Sequence, residues 1–223
     1  METARAAVSK PLTFSPGVTL WRERFDRAAQ QALLDDVLMR VEEAPFYRPQ
    51  MPGSGTPFSV EETNLGTLGW ISDRNGYRYG PLHPLTGESW PAIPEALLEL
   101  WTEATAYRAP PECCLVNLYR AGARMGLHQD RDERAEDAPV LSVSLGDDAI
   151  FRIGGTTRRG PTQSVKLSSG DVLTFGGPAR RAYHGIDRIV SGSSTLIPGG
   201  GRINLTLRRV TVPGKEKGAR PGG

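Results

Sequence analysis

Apolar positions recur at helical spacing in two segments of the N-terminal half of the chain. In the first segment, residues 26–43, these positions are Ala29, Leu33, Val37 and Val41. The second segment opens at Pro94, a residue favoured in the first turn of a helix, and continues through Leu97 and Trp101. Since each segment has one apolar face, we predict two amphipathic helices that pack against a larger core.

From residue 113 onward the pattern changes to short apolar runs separated by turn residues such as Gly154 and Gly155. These runs predict strands at residues 115–119, 140–145, 149–153, 164–167, 171–175, 183–186 and 202–210. Short strands at this spacing are typical of an antiparallel sandwich or a jelly roll. The predicted fold class is therefore mainly β with flanking helices.

The pattern also predicts how the chain is divided. A single domain is expected over residues 18–210. Residues 1–17 contain two prolines among polar residues and are expected to form an irregular lead-in, while residues 211–223 are expected to be a disordered basic tail. Residues 58–92 are rich in aromatic residues and glycine, so short strands and loops are expected there.

The composition is that of an ordinary globular protein, with 38% hydrophobic and 23% charged residues. A membrane span is not expected, because no run of about 18 or more apolar residues occurs. The first residues lack the apolar core of a secretory signal, so a cytoplasmic location is expected. Cys113 and Cys114 point to opposite faces of a predicted strand and are expected to remain buried, reduced thiols.

The formal net charge of +2 comes from the C-terminal tail alone, where Lys215, Lys217 and Arg220 outnumber Glu216. The rest of the chain is formally neutral. Any affinity for nucleic acid must therefore come from a local basic patch and not from a global field.

Two histidines and one aspartate form a candidate metal site. His128 and Asp130 are two positions apart, and His184 lies further along at the mouth of another predicted strand. Two imidazoles and one carboxylate can bind Fe(II) on one face and leave its other positions open, as in non-haem iron oxygenases. His83 has no carboxylate at ligand spacing and is interpreted as a loop residue.

The last predicted strand carries two fixed cations on one face. Arg202, Asn204, Thr206 and Arg208 alternate with apolar residues, so they share a side of the strand. One interpretation is a solvated polar face over an apolar core. The other is a polar strip that faces the hollow between two sheets and binds a small dicarboxylate beside the metal. Asn117 and Tyr119, also two apart, add hydrogen-bonding groups on a neighbouring strand.

Several motifs occur in a fixed order along the chain. They are residues 117–119 (NLY), 127–133 (LHQDRDE), 142–146 (SVSLG), 170–172 (GDV), 183–186 (YHGI) and 202–208 (RINLTLR). Upstream stand residues 64–70 (NLGTLGW) and 76–79 (GYRY). Together they resemble the AlkB family of Fe(II)/2-oxoglutarate dioxygenases, in particular its bacterial DNA-repair type, over about residues 58–210. The resemblance implies a double-stranded β-helix core at residues 113–210 and a nucleotide-recognition lid at residues 58–92.

The resemblance also implies roles for single residues. His128, Asp130 and His184 would bind the iron. Arg202, with help from Tyr119, would pair with the distal carboxylate of 2-oxoglutarate. Arg208 and Asn117 would contact the end of 2-oxoglutarate that chelates iron, with support from Asn204. Bidentate pairs between a guanidinium and a carboxylate are short, strong and directional, which suits these roles.

The implied reaction is an oxidative dealkylation with Fe(II) as cofactor and 2-oxoglutarate and O2 as co-substrates. An N-methyl carbon of a damaged base is hydroxylated, and the product releases formaldehyde and the restored base. The expected partner is single-stranded DNA, with RNA or duplex DNA also possible, and the chain is expected to act as a monomer away from membranes.

The residues that would recognise the base lie mostly in the lid. Trp70, Tyr77, Arg78 and Tyr79 match lid positions of the family, and their aromatic rings can stack on a flipped base or pack under a loop. Asp132 would face the exocyclic amine of a cationic base such as 1-methyladenine or 3-methylcytosine.

Basic residues outside the lid have two interpretations. Arg158 matches a family position near the nucleotide, whereas a solvated surface is the alternative for it and for the other basic candidates for phosphate contacts. The other candidates are Arg131, Arg159, Arg180 and Arg181. Phe175 departs from the family pattern, which has tryptophan before the double glycine, and this changes the shape of the pocket and not the iron ligands.

Three alternatives stay open from the sequence. The same iron chemistry can act on RNA or on a protein side chain, and the aromatic and basic lid favours nucleic acid. A non-catalytic module that binds damaged nucleic acid would not need an intact ligand triad and both arginines. A hydrolytic metal site would leave the arginine strand without a purpose.

Overall fold

The computed structural model describes residues 10–214, and it contains two helices and thirteen strands in that range. The helices are α1 (Arg27–Glu43) and α2 (Glu95–Thr105). The strands before α2 are β1 (Leu12–Ser15), β2 (Val18–Trp21), β3 (Glu61–Gly66), β4 (Gly69–Asp73) and β5 (Gly76–Gly80). The strands after α2 are β6 (Cys113–Tyr119), β7 (Met125–His128), β8 (Val140–Gly146), β9 (Asp148–Gly154), β10 (Thr162–Leu167), β11 (Val172–Phe175), β12 (His184–Val190) and β13 (Arg202–Arg208).

Two antiparallel sheets form the jelly roll. The major sheet has the strand order β1-β2-β11-β8-β13-β6-β3, and the minor sheet has the order β10-β9-β12-β7. Val140 and Phe175 of the major sheet share an apolar cluster with Phe151, Ile153 and Ile186 of the minor sheet. This shared cluster shows that the two sheets pack face to face, as predicted for the fold.

The two helices cover the outer face of the major sheet. Helix α1 begins after Asp26, whose carboxylate caps the helix by accepting a hydrogen bond from the backbone N–H of Ala29. The buried faces of α1 and α2 form one core with the apolar side of β13, through residues such as Leu34, Trp101 and Leu205. Both helices therefore confirm the predicted amphipathic segments, within a residue at their starts.

The N-terminal segment differs from its prediction. Residues 12–21 form a hairpin of β1 and β2 in place of an irregular lead-in, and β2 pairs with β11 at one edge of the major sheet. The turn contains Pro16 and Gly17, and Gly17 adopts a φ of 80°, the left-handed conformation that glycine tolerates. Residues 1–9 of the predicted lead-in lie outside the described residues.

The C-terminal segment can be compared only in part. Residues 211–214 contain neither helix nor strand, and the remainder of the predicted basic tail lies outside the described range. Within that range no helix is long and apolar enough to cross a membrane. The cytoplasmic location stays a prediction. Cys113 and Cys114 are both buried and free, as expected.

Two details of the sheets add to the predicted pattern of strands, one in the lid and one in the minor sheet. β4 and β5 pair only with each other among the described strands, and form a separate two-stranded sheet within residues 58–92. β7 was not predicted as a strand. It pairs with β12 so that His128 lies directly opposite His184.

Gly185 allows β7 and β12 to approach closely beside these two histidines. A Cβ atom at this position would lie 2.5 Å from the carbonyl oxygen of Met125 and 2.8 Å from that of Gly126. Both oxygens belong to the β7 backbone, which cannot turn aside like a side chain. Glycine at position 185 therefore holds His184 across from His128.

We expect Gly185→Ala to destabilise the protein by about 1–3 kcal/mol, because overpacking forces the two strands apart. Gly126→Ala is the matched control on the same pair of strands, since a Cβ there meets nothing within 4 Å. It should change stability by less than about 0.5 kcal/mol. Urea unfolding of the three proteins measures both effects. Equal stability of the two variants would contradict the close approach.

Candidate active site

A cavity of about 630 Å³ opens between the two sheets and reaches the lid. All of the predicted site residues line it except Arg78 and Tyr79. Its inner wall includes the polar face of β13, whose residues are all buried. The solvated-face interpretation of that strand is therefore wrong, because the face points into the sandwich.

His128, Asp130 and His184 converge at one side of the cavity. Each offers a ligand atom, and these atoms all lie within 4.8 Å of one another. Nε2 of His128 lies 3.7 Å from Oδ1 of Asp130, and Nε2 of His184 lies 3.9 Å from the same oxygen. Two imidazole nitrogens and a carboxylate oxygen at these separations suit a single Fe(II) ion bound on one face.

Backbone carbonyls set the tautomers of both histidines. Nδ1 of His128 lies 3.0 Å from the carbonyl oxygen of Gly126, and Nδ1 of His184 lies 3.0 Å from that of Ala182. A carbonyl only accepts hydrogen bonds, so each Nδ1 must carry the proton. Each Nε2 is then left with a free lone pair directed at Asp130, the form in which imidazole binds a metal.

The protonation states in this cluster also fit a metal. Burial, followed by the nearby His128, lowers the pKa of His184 to about 4. Burial alone would raise the pKa of Asp130, but Arg208, followed by the two histidines, outweighs it and lowers that pKa well below its usual range. A neutral His184 and an ionised Asp130 at neutral pH are the states that metal coordination requires.

Arg208 faces the metal ligand directly. Its Nη2 lies 3.0 Å from each carboxylate oxygen of Asp130 and donates a hydrogen bond to Oδ1. Its Nε lies 3.6 Å from Glu133 and has no hydrogen-bond partner among residues 10–214. The guanidinium therefore orients Asp130 and also lies beside the carboxylate of Glu133.

Arg202 is a buried cation that forms no ion pair within residues 10–214. Its Nη2 donates to Ser144 Oγ at 2.8 Å and its Nη1 to the carbonyl of Asp147 at 3.4 Å, while Nε has no partner in the described chain. Among these residues no carboxylate oxygen lies within 4 Å of it, and burial lowers its pKa to about 10. A buried, uncompensated guanidinium is costly, so the site fits a ligand that brings a carboxylate.

Two amides beside the arginines have different tasks. Asn204 donates to Ser142 Oγ at 2.7 Å and to the carbonyl of Val143 at 3.0 Å, so it braces β13 against β8. Asn117, in register with Asn204, is buried and its Oδ1 has no partner among the described residues. Tyr119 lies opposite Arg202 in the same strand pair. The unpaired groups of Asn117 and Arg202 thus lie on one face of two neighbouring strands.

The lid covers the mouth of the cavity with stacked rings. Trp70 and Tyr77 stack with ring centroids 5.4 Å apart, and Phe58 lies 6.5 Å from Trp70. Nε1 of Trp70 donates to Oδ2 of Asp132 at 2.8 Å. Asp132 is exposed at the mouth. This group therefore places aromatic faces and one carboxylate at the entrance.

Two predicted lid residues do not face the cavity. Arg78 pairs with Asp73 of the same hairpin at 2.7 Å and is exposed. It lies on the face of β5 opposite Tyr77, which follows from strand alternation and was available from the sequence. Tyr79 is turned inward, and its hydroxyl donates to Oε1 of Glu133. Arg78 and Tyr79 therefore do not form the base pocket in this structure.

Glu133 is a residue that the sequence analysis did not single out. It is buried, and it binds Arg180 at 3.0 Å in addition to Tyr79. Arg180 also donates to the carbonyl oxygens of Ala138 and Asp130. Glu133 thereby links the lid strand β5 to the backbone of an expected metal ligand. Its position in the motif of residues 127–133 was the only signal for it.

The basic residues outside the lid divide into two groups. Arg131, Arg158 and Arg159 are exposed, and Arg158 lines the cavity in the loop between β9 and β10. Arg180 is buried and pairs with Glu133. It is therefore neither a phosphate-contacting residue nor a solvated surface residue. Arg181 pairs with Glu136 at the surface.

Two further predictions concern His83 and Phe175. His83 is buried in its loop, and its Nε2 lies 2.8 Å from the carbonyl oxygen of Pro45, away from the triad.

Phe175 is buried with its ring centroid 4.7 Å from that of His184. Phenylalanine thus packs against an expected metal ligand at the position where the family pattern has tryptophan.

Comparisons with known proteins agree with this geometry. Residues 17–208 match the 2OG-Fe(II) oxygenase superfamily. The chain is 58% identical over 204 residues to a protein named Alpha-ketoglutarate-dependent dioxygenase AlkB homolog from Caulobacter vibrioides, a match that covers 91% of each chain. It is 42% identical over 190 residues to Alpha-ketoglutarate-dependent dioxygenase AlkB from Escherichia coli, which covers 83% of this chain and 87% of the relative. The solved structure of OsALKBH1 matches with a TM-score of 0.74 at 30% identity, over 90% of this chain and all of the other.

The chain therefore belongs to the 2OG-Fe(II) oxygenase superfamily and, within it, to the AlkB family. It is a dioxygenase that uses Fe(II) as cofactor and 2-oxoglutarate and O2 as co-substrates.

The Glu133 network generates a prediction about stability. Glu133→Gln should cost about 3–5 kcal/mol, because it leaves the buried Arg180 without its counterion. Glu136→Gln is the matched control, since Glu136 pairs with Arg181 at the surface and its side chain is 65% exposed. That change should cost less than about 1 kcal/mol. Urea unfolding at pH 7 distinguishes the two, and a Glu133→Gln variant as stable as the control would disprove the role of the network.

Proposed function

We propose that the protein is an oxidative demethylase of N-methylated bases, with single-stranded DNA as its principal substrate. The observation that carries this proposal is one cavity that joins three features. A His-Asp-His cluster lies beside a buried guanidinium that lacks a counterion within residues 10–214, and both lie beneath an aromatic lid with a carboxylate at its mouth. A dioxygenase that acts on a small free molecule would not need stacked rings at the entrance.

The residue roles follow from the contacts. His128, Asp130 and His184 would hold the iron, and Arg208 would fix the orientation of Asp130. Arg202 would bind the distal carboxylate of 2-oxoglutarate, and Asn117 would contact its other end. Asn204 would hold the strand that carries both arginines. The assignment of Arg202 satisfies its Nε, which has no partner within residues 10–214, and those of Arg208 and Asn204 extend contacts already present.

When bound, iron and 2-oxoglutarate supply the oxidising power, since reduction of O2 is coupled to the decarboxylation of 2-oxoglutarate to succinate. One oxygen atom is inserted into a C–H bond of the N-methyl group. The C–N bond of the resulting hydroxymethyl group then breaks, its electron pair stays on the ring nitrogen, and the hydroxyl proton is lost to solvent, which releases formaldehyde and turns the cationic base into the neutral one. The protein positions the methyl group and excludes water, through apolar walls such as Phe151 and Phe175 around His184.

The identity of the substrate rests on the lid. A base must leave its stack before its methyl group can reach the iron, and unstacking costs least in a single strand. Trp70 and Tyr77 offer ring faces that replace the lost stacking, and a cationic methylated base gains additionally from a π face. Exposed Arg131, Arg158 and Arg159 near the mouth would contact backbone phosphates.

RNA is the second candidate substrate. Among more distant relatives, one from Schizosaccharomyces pombe is named tRNA demethylase abh1, and one from Arabidopsis thaliana is named DNA N(6)-methyladenine demethylase ALKBH1C. These names support a nucleic acid as the substrate in general. The choice between DNA and RNA is made by the assay described below. We further propose that the chain acts as a monomer in the cytoplasm.

A demethylation assay tests the proposed function. With Fe(II), ascorbate and 2-oxoglutarate, we expect 1-methyladenine in a single-stranded DNA oligonucleotide to lose one methylene mass, with release of formaldehyde and succinate. Parallel duplex DNA and RNA oligonucleotides rank the substrates. His128→Ala should abolish turnover and keep the native unfolding transition. Demethylation of none of the three polymers, with iron bound, would refute the proposal.

Arg202 yields a prediction for the co-substrate. Arg202→Met should raise the KM for 2-oxoglutarate by about 30-fold or more, because a charge-assisted pair in a buried site is lost. Arg120→Met is the matched control, since Arg120 is exposed, donates to the carbonyl of Gly200 and has no predicted role in the site. Steady-state kinetics at varied 2-oxoglutarate measures the effect. An unchanged KM in Arg202→Met would remove Arg202 from the binding site.

A further inference from the structure

Glu62 on β3 is a buried carboxyl group that the reaction described so far does not use. Its exposed fraction is 0%, and neither carboxyl oxygen has a hydrogen-bond partner among the described residues. The neighbouring Glu61 behaves as an ordinary surface residue and pairs with Arg48 at 3.0 Å. A buried carboxyl group with two unpartnered oxygens destabilises the fold, so this position fits a ligand that would pair with it.

The register of the major sheet places Glu62 within the substrate cavity. Glu62 lies opposite Asn117 in the β3–β6 pair, and Asn117 lies opposite Asn204 in the β6–β13 pair. Directly opposed residues share a face of the sheet, so all three line the same cavity wall. Glu62 is therefore one strand farther from the arginines of β13 than Asn117 is.

The far side of Glu62 leads to the lid. β3 is the edge strand of the major sheet, and Asn64 on β3 holds Trp70 of β4 through two hydrogen bonds of 3.0 Å. Phe58 and Val60, just before β3, also line the cavity, and Phe58 contacts the ring of Trp70. Glu62 thus lies between the proposed co-substrate residues and the rings proposed to receive the base.

The surroundings of Glu62 fix its charge in the absence of a ligand. Arg208 from β13 is the charged group that acts on Glu62. Glu62 itself adds to the rise that burial causes in the pKa of Tyr119 from β6 and of Tyr47 from the segment bridged to β3. Burial outweighs the opposing charge of Arg208, so the pKa of Glu62 is raised to about 8. At pH 7 the carboxyl is therefore mainly protonated, and it ionises when a cation is placed beside it.

We propose that Glu62 is a specificity-determining residue that contacts the flipped base and favours cationic N-methylated bases over neutral ones. This inference rests on the proposed function. The cavity wall beside Glu62 lacks a counter-charge within the described residues, and a cationic base supplies one. The carboxyl group of Glu62 then releases its proton to solvent, and the resulting carboxylate pairs with the base. Asp132 at the mouth and Glu62 at the floor would then face the base from two sides. A neutral base gains only a hydrogen bond from the uncharged acid.

The test compares two lesions of the same ring size and methyl position, the cationic 3-methylcytosine and the neutral 3-methylthymine, in otherwise identical single-stranded DNA. We expect Glu62→Gln to lower the ratio of kcat/KM for the cationic over the neutral lesion by about 10-fold or more, the worth of a charge-assisted contact. Glu61→Gln is the matched control and should leave the ratio as in the wild type. Glu62→Met, which keeps the length of the side chain and removes both oxygens, should lower the ratio in the same way.

A binding measurement without turnover supports the kinetics. Calorimetric titration of the Mn(II)- and 2-oxoglutarate-loaded protein in two buffers of different ionisation enthalpy gives the number of protons released. At pH 7 we expect release of about 0.9 proton on binding 3-methylcytosine DNA to the wild type, given a carboxyl pKa of about 8. We expect none with Glu62→Gln.

The outcomes separate this inference from the proposed function. If the wild type demethylates both lesions while Glu62→Gln keeps the wild-type ratio and the wild-type proton release, Glu62 does not determine specificity and the demethylase function stands. If the wild type demethylates neither lesion, the proposed function fails, and the inference fails with it.

Discussion

The ion pair between Asp130 and Arg208 is the interaction on which the site depends. Asp130 follows β7 of the minor sheet and Arg208 ends β13 of the major sheet, so the pair bridges the two sheets at the inner side of the cavity. Both charges are buried, and either alone would be strongly unfavourable there. The same contact that compensates the charges also fixes the carboxylate in line with the two histidines. The stability of the fold and the geometry of the proposed metal site therefore depend on the same two residues.

The two arginines of β13 show how a single strand divides structural and binding tasks. Arg208 meets Asp130 and Glu133, so its charge is compensated by the protein. Arg202 has only a hydroxyl and a backbone carbonyl as partners in residues 10–214, so its charge remains for a carboxylate ligand. The strand period of two puts the side chains of both arginines on one face of β13, so both guanidinium groups belong to the wall of one cavity.

Strand alternation and motif order made much of the fold predictable, and with it the grouping of His128, Asp130 and His184 in one cluster. The polar face of β13, the amphipathic helices and the His128–Asp130 spacing all follow from periodicity that a sequence shows directly. The N-terminal hairpin did not follow, because four-residue strands around Pro16 carry too little pattern, and their pairing with β11 is a long-range contact. The network of Glu133, Arg180 and Tyr79 and the burial of Glu62 were equally invisible. A charged residue in a sequence resembles a surface residue until its distant neighbours are known.

The contacts of the lid hairpin differ sharply between its two ends. Near its base, Tyr79 is fastened through Glu133 and Arg180 to the backbone of Asp130. Near its tip, Tyr77 is 47% exposed and contacts Trp70 by stacking. The turn of the hairpin is held as well, because the backbone N–H groups of Gln50 and Gly53 donate to the carbonyl oxygens of Ser72 and Arg74. The hairpin is therefore anchored at both ends, and the exposed ring of Tyr77 is the part of it that an incoming nucleic-acid strand would have to accommodate.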